Sequence, residues 1–530
     1  MDTTRLHSTP APMARRPGRP LGRRLRRALA AILAMPLALL AALVPLALYN
    51  MRDRHPRGAP DLALPAAAPA AASGGLRAGF GRAKITPEVV DTWVDADGNA
   101  RYEPGKGDRF EDRNGNGRFD AFWIAGFHNN RPAQGIHDDL WAVAAVVDDG
   151  SRRLAVVSLD AIGFMYDDVL DVRARLPKEW RIDHAIVCAT HCHEVPDLLG
   201  LWGPSNLKSG VDRDYLERVK AQTVQAIGAA VSALRPARMR LAEIAPLQEA
   251  VVTDTRRPHV YDAGIRVMHF LERAGPATLG TLVVWANHPE TLWSRNLQIT
   301  SDFCGYLREG VETGVHVDGV RRRPGVGGLC LYVNGAIGGL MTTPPRYDVV
   351  EPYTGRKLSE ATFEKARAIG YSVADAVLKA LAAPGSADSA PKLEIHTRGL
   401  TAPVENTLYK LAGAIGLIPR GFSGGRLRTE VNLVKLGDAW IVTVPGEIYP
   451  EIINGGVENP EGADYRIAPV EVPPIRAMMR GKVNFVFGLA NDEIGYIIPK
   501  SEWDTQKNPP YLYGADGAPY RSEEHTSELQ

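Results

Sequence analysis

The sequence predicts an α/β protein, a mixed-sheet body preceded by one N-terminal transmembrane helix. Three observations carry that prediction. Short apolar runs rich in β-branched residues recur along the chain, two longer segments between them repeat with a helical period, and an uncharged stretch follows a cluster of arginines near the N-terminus.

The elements follow in chain order. Residues 1–27 form a basic segment with Arg15, Arg16, Arg19, Arg23, Arg24, Arg26 and Arg27. Ala28–Tyr49 contains no charge and is long enough to span a bilayer. These seven arginines just before it outnumber Arg52, Arg54 and Arg57 after it, so the positive-inside bias keeps the N-terminus cytoplasmic and sends the body outward, to the periplasmic or extracellular side. No small-x-small cleavage site follows Leu48 directly, which favours a signal anchor over a cleaved signal peptide. Residues 50–75, Ala/Pro-rich from Asp61 to Gly75, read as a linker that holds the body off the membrane. The body spans 76–520. Strands are expected at Leu154–Leu159, Ala185–Cys188, Leu279–Ala286, Leu329–Val333, Ala439–Val444 and Val483–Phe487, with surface helices at Tyr215–Leu234 and Phe363–Leu381. Val431–Leu436 and Ala439–Val444, joined by Gly437-Asp438, read as a hairpin. Residues 521–530, RSEEHTSELQ, resemble an in-frame translation of a sequencing adapter and are set aside.

The formal charge of +1 conceals an asymmetry. Eleven arginines lie in residues 1–57, leaving 51 basic against 59 acidic residues beyond. A body of net negative charge lacks the basic face that phosphate backbones need, so nucleic acid is excluded as partner. Four cysteines in 530 residues are too few for a disulfide scaffold. Outside the cytoplasm, a Cys304–Cys330 bridge and buried free thiols are both open readings.

A short repeat lies at 95–120. Asp95, Asp97, Asn99 and Glu103 recur as Asp112, Asn114, Asn116 and Asp120, oxygen donors at positions 1, 3, 5 and 9 of two loops. That alternation is how a calcium loop wraps a hard cation. Position 12 is Lys106 in one copy and Trp123 in the other, and Ala100 replaces the turn glycine of the first, so the EF-hand pattern is incomplete. A solvated Asp/Asn/Gly turn is the alternative.

His191-Cys192-His193 ends the strand Ala185–Cys188, and in an extended chain both imidazoles face one pocket while Cys192 points away. His288, Glu447 and Tyr496 follow three other strands. Metal donors placed after separate strands suit an α/β site, whose parts assemble at strand ends, and suit zinc among metals; hydrogen-bonded turn histidines, with core packing or capping for the others, are the alternative.

GFGRAKITP (Gly79–Pro87), GIHDDLWA (Gly135–Ala142), ATHCHEVPD (Ala189–Asp197), NHPETL (Asn287–Leu292), PGEIYPE (Pro445–Glu451) and GYIIP (Gly495–Pro499) resemble, in order and spacing, the motifs of the neutral ceramidase family. The resemblance implies a zinc hydrolase domain over 76–520, with zinc held by His191, His288, Glu447 and Tyr496. It places His193 and Arg256 as the residues that bind and polarise the amide. The expected activity is hydrolysis of the amide bond of an N-acyl, lipid-like substrate, within lipid and specifically sphingolipid metabolism. Such a zinc site acidifies water and polarises the carbonyl, His193 shuttles a proton to the leaving amine, and Arg256 stabilises the oxyanion. Two departures stand out. Glu194 and Val195 occupy positions usually small or polar in the family, and Met341 takes the place of a serine proposed to act in catalysis, with Thr342 or Thr343 beside it. The C-terminal β-sandwich of secreted ceramidases also has no counterpart in the sequence. A zinc esterase or deacylase, and a non-catalytic calcium-stiffened binding protein, are the alternative readings.

Overall fold

The computed structural model describes residues 41, 43–58, 61–66, 75–247, 251–254, 259–262, 264–455 and 473–499. Strand β1 is Leu62–Leu64 and β2 is Arg77–Lys84; β3 (Trp141–Asp148), β4 (Arg153–Leu159) and β5 (His184–Ala189) follow, then β6 (Arg235–Ile244), β7 (Ile265–Glu272), β8 (Thr278–Trp285) and β9 (Leu329–Asn334). The C-terminal half adds β10 (Leu393–Pro403), β11 (Arg426–Leu436), β12 (Ala439–Thr443) and β13 (Val483–Phe487). Helices named below are α1 (Tyr166–Ala174), α2 (Arg213–Ser232), α3 (Phe303–Glu312), α4 (Phe363–Ala382) and α5 (Thr407–Ala414).

An eight-stranded sheet runs β9-β8-β7-β6-β2-β3-β4-β5 and a five-stranded sheet runs β1-β10-β11-β12-β13. Both are mixed: β8 with β9, β4 with β5, and β12 with β13 pair in parallel, the other neighbours antiparallel. Alternation along β3 and β4 explains the layering. Val143, Ala145, Leu154 and Val156 face Ile395, Val434, Ile441 and Phe485 of the smaller sheet. Ala144, Val146, Ala155 and Val157 face α2 through Val219 and Ile227. The other half of the large sheet is covered by α3 and α4, with Leu307 and Ile369 against Val283 and Trp285. The result is helices on one face of a large sheet and a second sheet on the other.

The expected strands and both long helices are present, and β11 and β12 form the expected hairpin. Strand β2 escapes a periodicity reading because it is built for contact with α2: a Cβ on Gly79 or Gly81 would lie 2.2 or 2.5 Å from the Ala230 backbone. Strand β6, RPARMRLAEI, has arginines where a buried run would have aliphatics, and only Ala237 and Met239 are buried. The expected linker 50–75 is partly built into the body. Leu62–Leu64 pairs antiparallel with β10, and Asp61 bonds Arg398, so this part is an edge strand and not a tether. Among the described residues no helix is long and apolar enough to cross a membrane, and most of Ala28–Tyr49 lies outside them, as do residues 521–530. Cys188, Cys192, Cys304 and Cys330 are all buried free thiols, so the Cys304–Cys330 bridge is not formed.

A buried polar network joins the sheets. Glu430 on β11 accepts two bonds from Arg173 of α1 (2.7 and 2.8 Å), one from Tyr166 (3.0 Å) and one from Asn491 (2.9 Å), with His184 of β5 at 3.3 Å. Burial opposes ionisation of Glu430, yet Arg173 and these donors hold its carboxyl well below the usual range. A carboxyl depressed in the folded state contributes stability that is complete above the unfolded pKa and fades as pH falls through the folded one. Glu430→Gln is therefore expected to cost about 3 kcal/mol or more at neutral pH, by leaving Arg173 uncompensated, and less in acid. Thermal melts at pH 7 and pH 4 check the size and the pH trend.

Candidate metal centre

The ends of β5, β8, β9, β12 and β13 meet although β5 and β9 are opposite edges of the large sheet, joined by hydrogen bonds among the loops that follow them, and the candidate residues sit just beyond. His191 follows β5, but the backbone is not extended: His191 has φ 63, a left-handed conformation uncommon for a residue with a side chain. The two imidazoles of the HxH motif thus converge through a tight turn and not through strand alternation. Their rings lie 4.8 Å apart, with His288 4.8 Å from His191 and 5.4 Å from His193. The three buried histidines offer nitrogen atoms within 4.8 Å of one another and can hold a metal ion such as zinc. Cys192 is turned aside, its thiol donating to the Thr300 carbonyl at 3.3 Å.

The hydrogen bonds around the rings settle their orientation. His191 Nδ1 donates to the Ile162 carbonyl at 2.7 Å, which leaves Nε2 as the lone-pair nitrogen facing the cluster. Glu447 Oε2 lies 3.2 Å from His288 Nε2 and 3.5 Å from His191 Nε2. Glu447 and Tyr496 are register partners of a two-residue parallel ladder, Glu447–Ile448 with Tyr496–Ile497, and Tyr496 hydrogen-bonds the Glu447 carboxylate. Asn334, at the end of β9, donates to the carbonyls of Thr190 (2.9 Å) and Asn287 (3.0 Å), the residues immediately before His191 and His288. One amide thereby sets the spacing of both histidine loops.

The electrostatics fit a cation. Burial pushes the Glu447 carboxyl up and the His191 imidazole down to about 4. A buried carboxylate beside neutral imidazoles is a mixed N/O donor set of the kind zinc takes, and a divalent ion would hold that carboxylate ionised.

His193 has its own surroundings. Glu290 Oε2 is 3.6 Å from its Nδ1, and its main-chain N–H donates to the Pro289 carbonyl at 2.9 Å. Gly126, at φ +111, lies flat against the ring; a Cβ there would sit 2.5 Å from His193 Cβ and Cγ. Arg131, fully buried, donates to the carbonyls of Ala125 and His193, the latter at 2.5 Å, and stands 3.6 Å from Glu194. Glu194 accepts from Asn296 at 2.7 Å, and burial pushes its carboxyl up to about 8. The unusual Glu194 is thus the partner of a buried arginine. Arg256 lies outside the described residues.

Met341 is buried in a short strand, Leu340–Thr342, that pairs with Val252–Asp254. Its neighbour Thr342 is the residue turned to the His288 loop, with its N–H 3.3 Å from Glu290 Oε1 and its hydroxyl 3.4 Å from that of Thr291. Asp302 closes that loop by accepting from the Thr291 amide (2.8 Å) and hydroxyl (2.7 Å). Glu290, Arg131, Asn334 and Asp302 were not singled out from sequence. Glu290 lies inside a quoted motif and Asn334 opens the segment that holds Met341, whereas Arg131 and Asp302 carry no signal short of the fold.

The acidic repeat forms two loops of the same shape. Asp95 accepts from the main-chain N–H groups of Gly98, Asn99 and Ala100, and Asp112 from those of Gly115, Asn116 and Gly117. Ala100 takes the left-handed conformation (φ 60) that Gly117 takes in the second copy. Asp95 and Asp97 are joined by buried Asp108, and these three carboxylates are close enough to hold a cation.

No protein-family model matches the chain. The fold is similar to that of the neutral ceramidase from Pseudomonas aeruginosa, over 82% of this chain and 70% of that one, with 16% sequence identity and a TM-score of 0.58. It is similar also to a ceramidase complexed with C2, over 82% of this chain and 71% of that one, with 16% identity and a TM-score of 0.56. The likeness is one of fold, and it falls on the family whose motifs the sequence resembles.

Proposed function

We propose that the protein is a zinc-dependent hydrolase that cleaves the amide bond of an N-acyl, lipid-like substrate. The observation that carries this is the convergence of His191, His288, Glu447 and Tyr496 at strand ends of a ceramidase-like fold, with His193 beside them. His191, His288, Glu447 and Tyr496 would hold the zinc, which when bound supplies Lewis acidity toward an acyl carbonyl and toward water. His193, whose Nδ1 faces Glu290 at 3.6 Å, is assigned the proton shuttle, taking a proton and returning it to the leaving amine. The oxyanion role is assigned to Arg256, as the resemblance to the ceramidase motifs implies.

The test is a substrate panel read by fatty-acid release. Long-chain N-acyl amides are expected to be cleaved faster than short soluble ones, and Glu447→Gln or Tyr496→Phe to reduce turnover strongly. A zinc-loaded protein that cleaves simple esters and no N-acyl lipid would establish the esterase reading, which buried Met341 favours. Met341→Ser separates the two accounts of that position: little change means that zinc suffices, a sharp rise that a serine is required.

Residues 28–49 are assigned as the membrane anchor, with the body on the extracytoplasmic side. The carboxylates of Asp95, Asp97 and Asp108 are assigned as a structural calcium site. Millimolar calcium is expected to stabilise the protein by roughly 1 kcal/mol if affinity is that of extracellular modules. Asp97→Ala should remove the increment, and melting curves that coincide with calcium and with a calcium chelator sparing zinc would leave a plain turn.

A further inference from the structure

Helix α5 is amphipathic the wrong way round for a helix facing water. Its inner side packs Tyr409 on Phe422, and Gly413 lies against the same ring. Its outer side carries Leu408 and Leu411, with Ile415 at the C-cap, in the spacing of one helical face and 61%, 54% and 46% exposed. Lys410 beside them is also exposed. The patch continues onto the loop after the histidine motif. Gly200 lies so close to the Leu417 carbonyl that a Cβ would sit 2.2 Å from it, and Leu201 and Leu207 of that loop are exposed. The loop follows the histidine motif directly and is held in shape by Asp197, four residues after His193, which accepts from the main-chain N–H groups of Leu199, Gly200 and Trp202.

The uncharged stretch Ala28–Tyr49 ends at this same surface. Residues 43–50 are helical, with Leu46, Leu48 and Tyr49 exposed. At its end Asn50 donates to the Ala414 carbonyl of α5 at 2.9 Å, Arg54 to the Pro419 carbonyl at 2.8 Å, and Asp53 pairs with Arg428 at 2.9 Å. Arg52 stacks over Tyr49 at 3.8 Å, an aromatic and a cation of the kind that mark a bilayer boundary. The chain leaving the apolar stretch is therefore bound to the body at once, with no free tether between.

We propose that α5 and the Leu201–Leu207 loop form a lipid-bilayer contact surface that seats the body on the membrane beside its anchor, with the metal centre facing the leaflet. The proposal deepens the N-acyl lipid reading and rests on it for its consequence, uptake of substrate from the bilayer. Apolar side chains that would otherwise stay in water are buried at the headgroup boundary, as in helices that lie on membranes.

Because all four native cysteines are buried, a cysteine introduced at the surface can be labelled selectively. The full chain carrying Leu411→Cys, labelled with an environment-sensitive nitrobenzoxadiazole dye, is reconstituted into phosphatidylcholine/phosphatidylglycerol vesicles. Val320→Cys is the comparison, exposed on a hairpin away from α5. A several-fold, blue-shifted rise in emission at 411 and none at 320 is expected. Water-like emission at both positions overturns the proposal, as does a rise at 411 that depends on protein concentration and needs no vesicles, which marks a contact between copies. This reading is independent of catalysis. Should N-acyl hydrolysis fail altogether, the dye still decides the surface. Where hydrolysis is present, Leu408→Ser with Leu411→Ser should lower turnover of vesicle-embedded substrate several-fold and leave a monomeric short-chain amide unchanged; equal loss on both would mean that α5 supports folding only.

Discussion

Alanine at His191 or at His288 is expected to empty the metal centre and to lower turnover by at least about a thousandfold, on the order of 4 kcal/mol of barrier. Each ring presents Nε2 to the same Glu447 oxygen, at 3.5 and 3.2 Å, while the third imidazole of the cluster, His193, turns its Nδ1 toward Glu290 at 3.6 Å. His191 is also held by its Nδ1 bond to Ile162, so its loss removes a ligand whose orientation is already paid for. Elemental analysis of protein never exposed to chelator checks this directly. One zinc per chain in the parent and almost none in either variant is the expected result. Stoichiometric zinc retained by both variants would put the metal elsewhere and sink the assignment.

How much of this centre was legible without the fold differs residue by residue. His191, His288, Glu447 and Tyr496 each follow a strand that apolar runs betray, and residues after strands are where an α/β site collects its parts. The route by which the HxH pair converges was not legible, because a φ of 63 at His191 comes from the loop around it and not from local alternation. Arg131 and Asn334 act on main-chain carbonyls, at His193 and at Thr190 and Asn287, through contacts 62, 144 and 47 residues apart in sequence. Such bonds leave no periodic trace. The same holds for the sheets: β4, β8, β9 and β13 are buried runs and were read correctly, whereas β2 is glycine-spaced for α2 and β6 alternates with arginine, so neither resembles a core strand. In the acidic repeat, the donors at positions 1 and 3 were visible, but Asp108, which completes the carboxylate group, lies between the two copies and joins through the turn at Pro104–Lys106.

The second large effect concerns Gly126, which nothing in the sequence marks. Alanine there meets two obstacles: a backbone at φ +111, costly for any residue with a Cβ, and the His193 ring, which the new methyl would approach to 2.5 Å. The main chain around it is fixed, since Ala125 is bonded to Val195 and to Arg131, so the ring must yield. A displacement near 1 Å of a group that transfers a proton costs about a hundredfold in rate. Gly126→Ala is therefore expected to lose about two orders of magnitude in kcat while retaining zinc, with stability lowered by about 1–3 kcal/mol of backbone strain, and His193→Ala to lose more of kcat, also with zinc retained. These two variants also decide between the donor sets the geometry allows. If the metal is held by His191, His288, Glu447 and Tyr496, both keep it; if His193 completes a triad with the other histidines, both release it, and the proton-transfer role assigned to His193 falls with the ligand set.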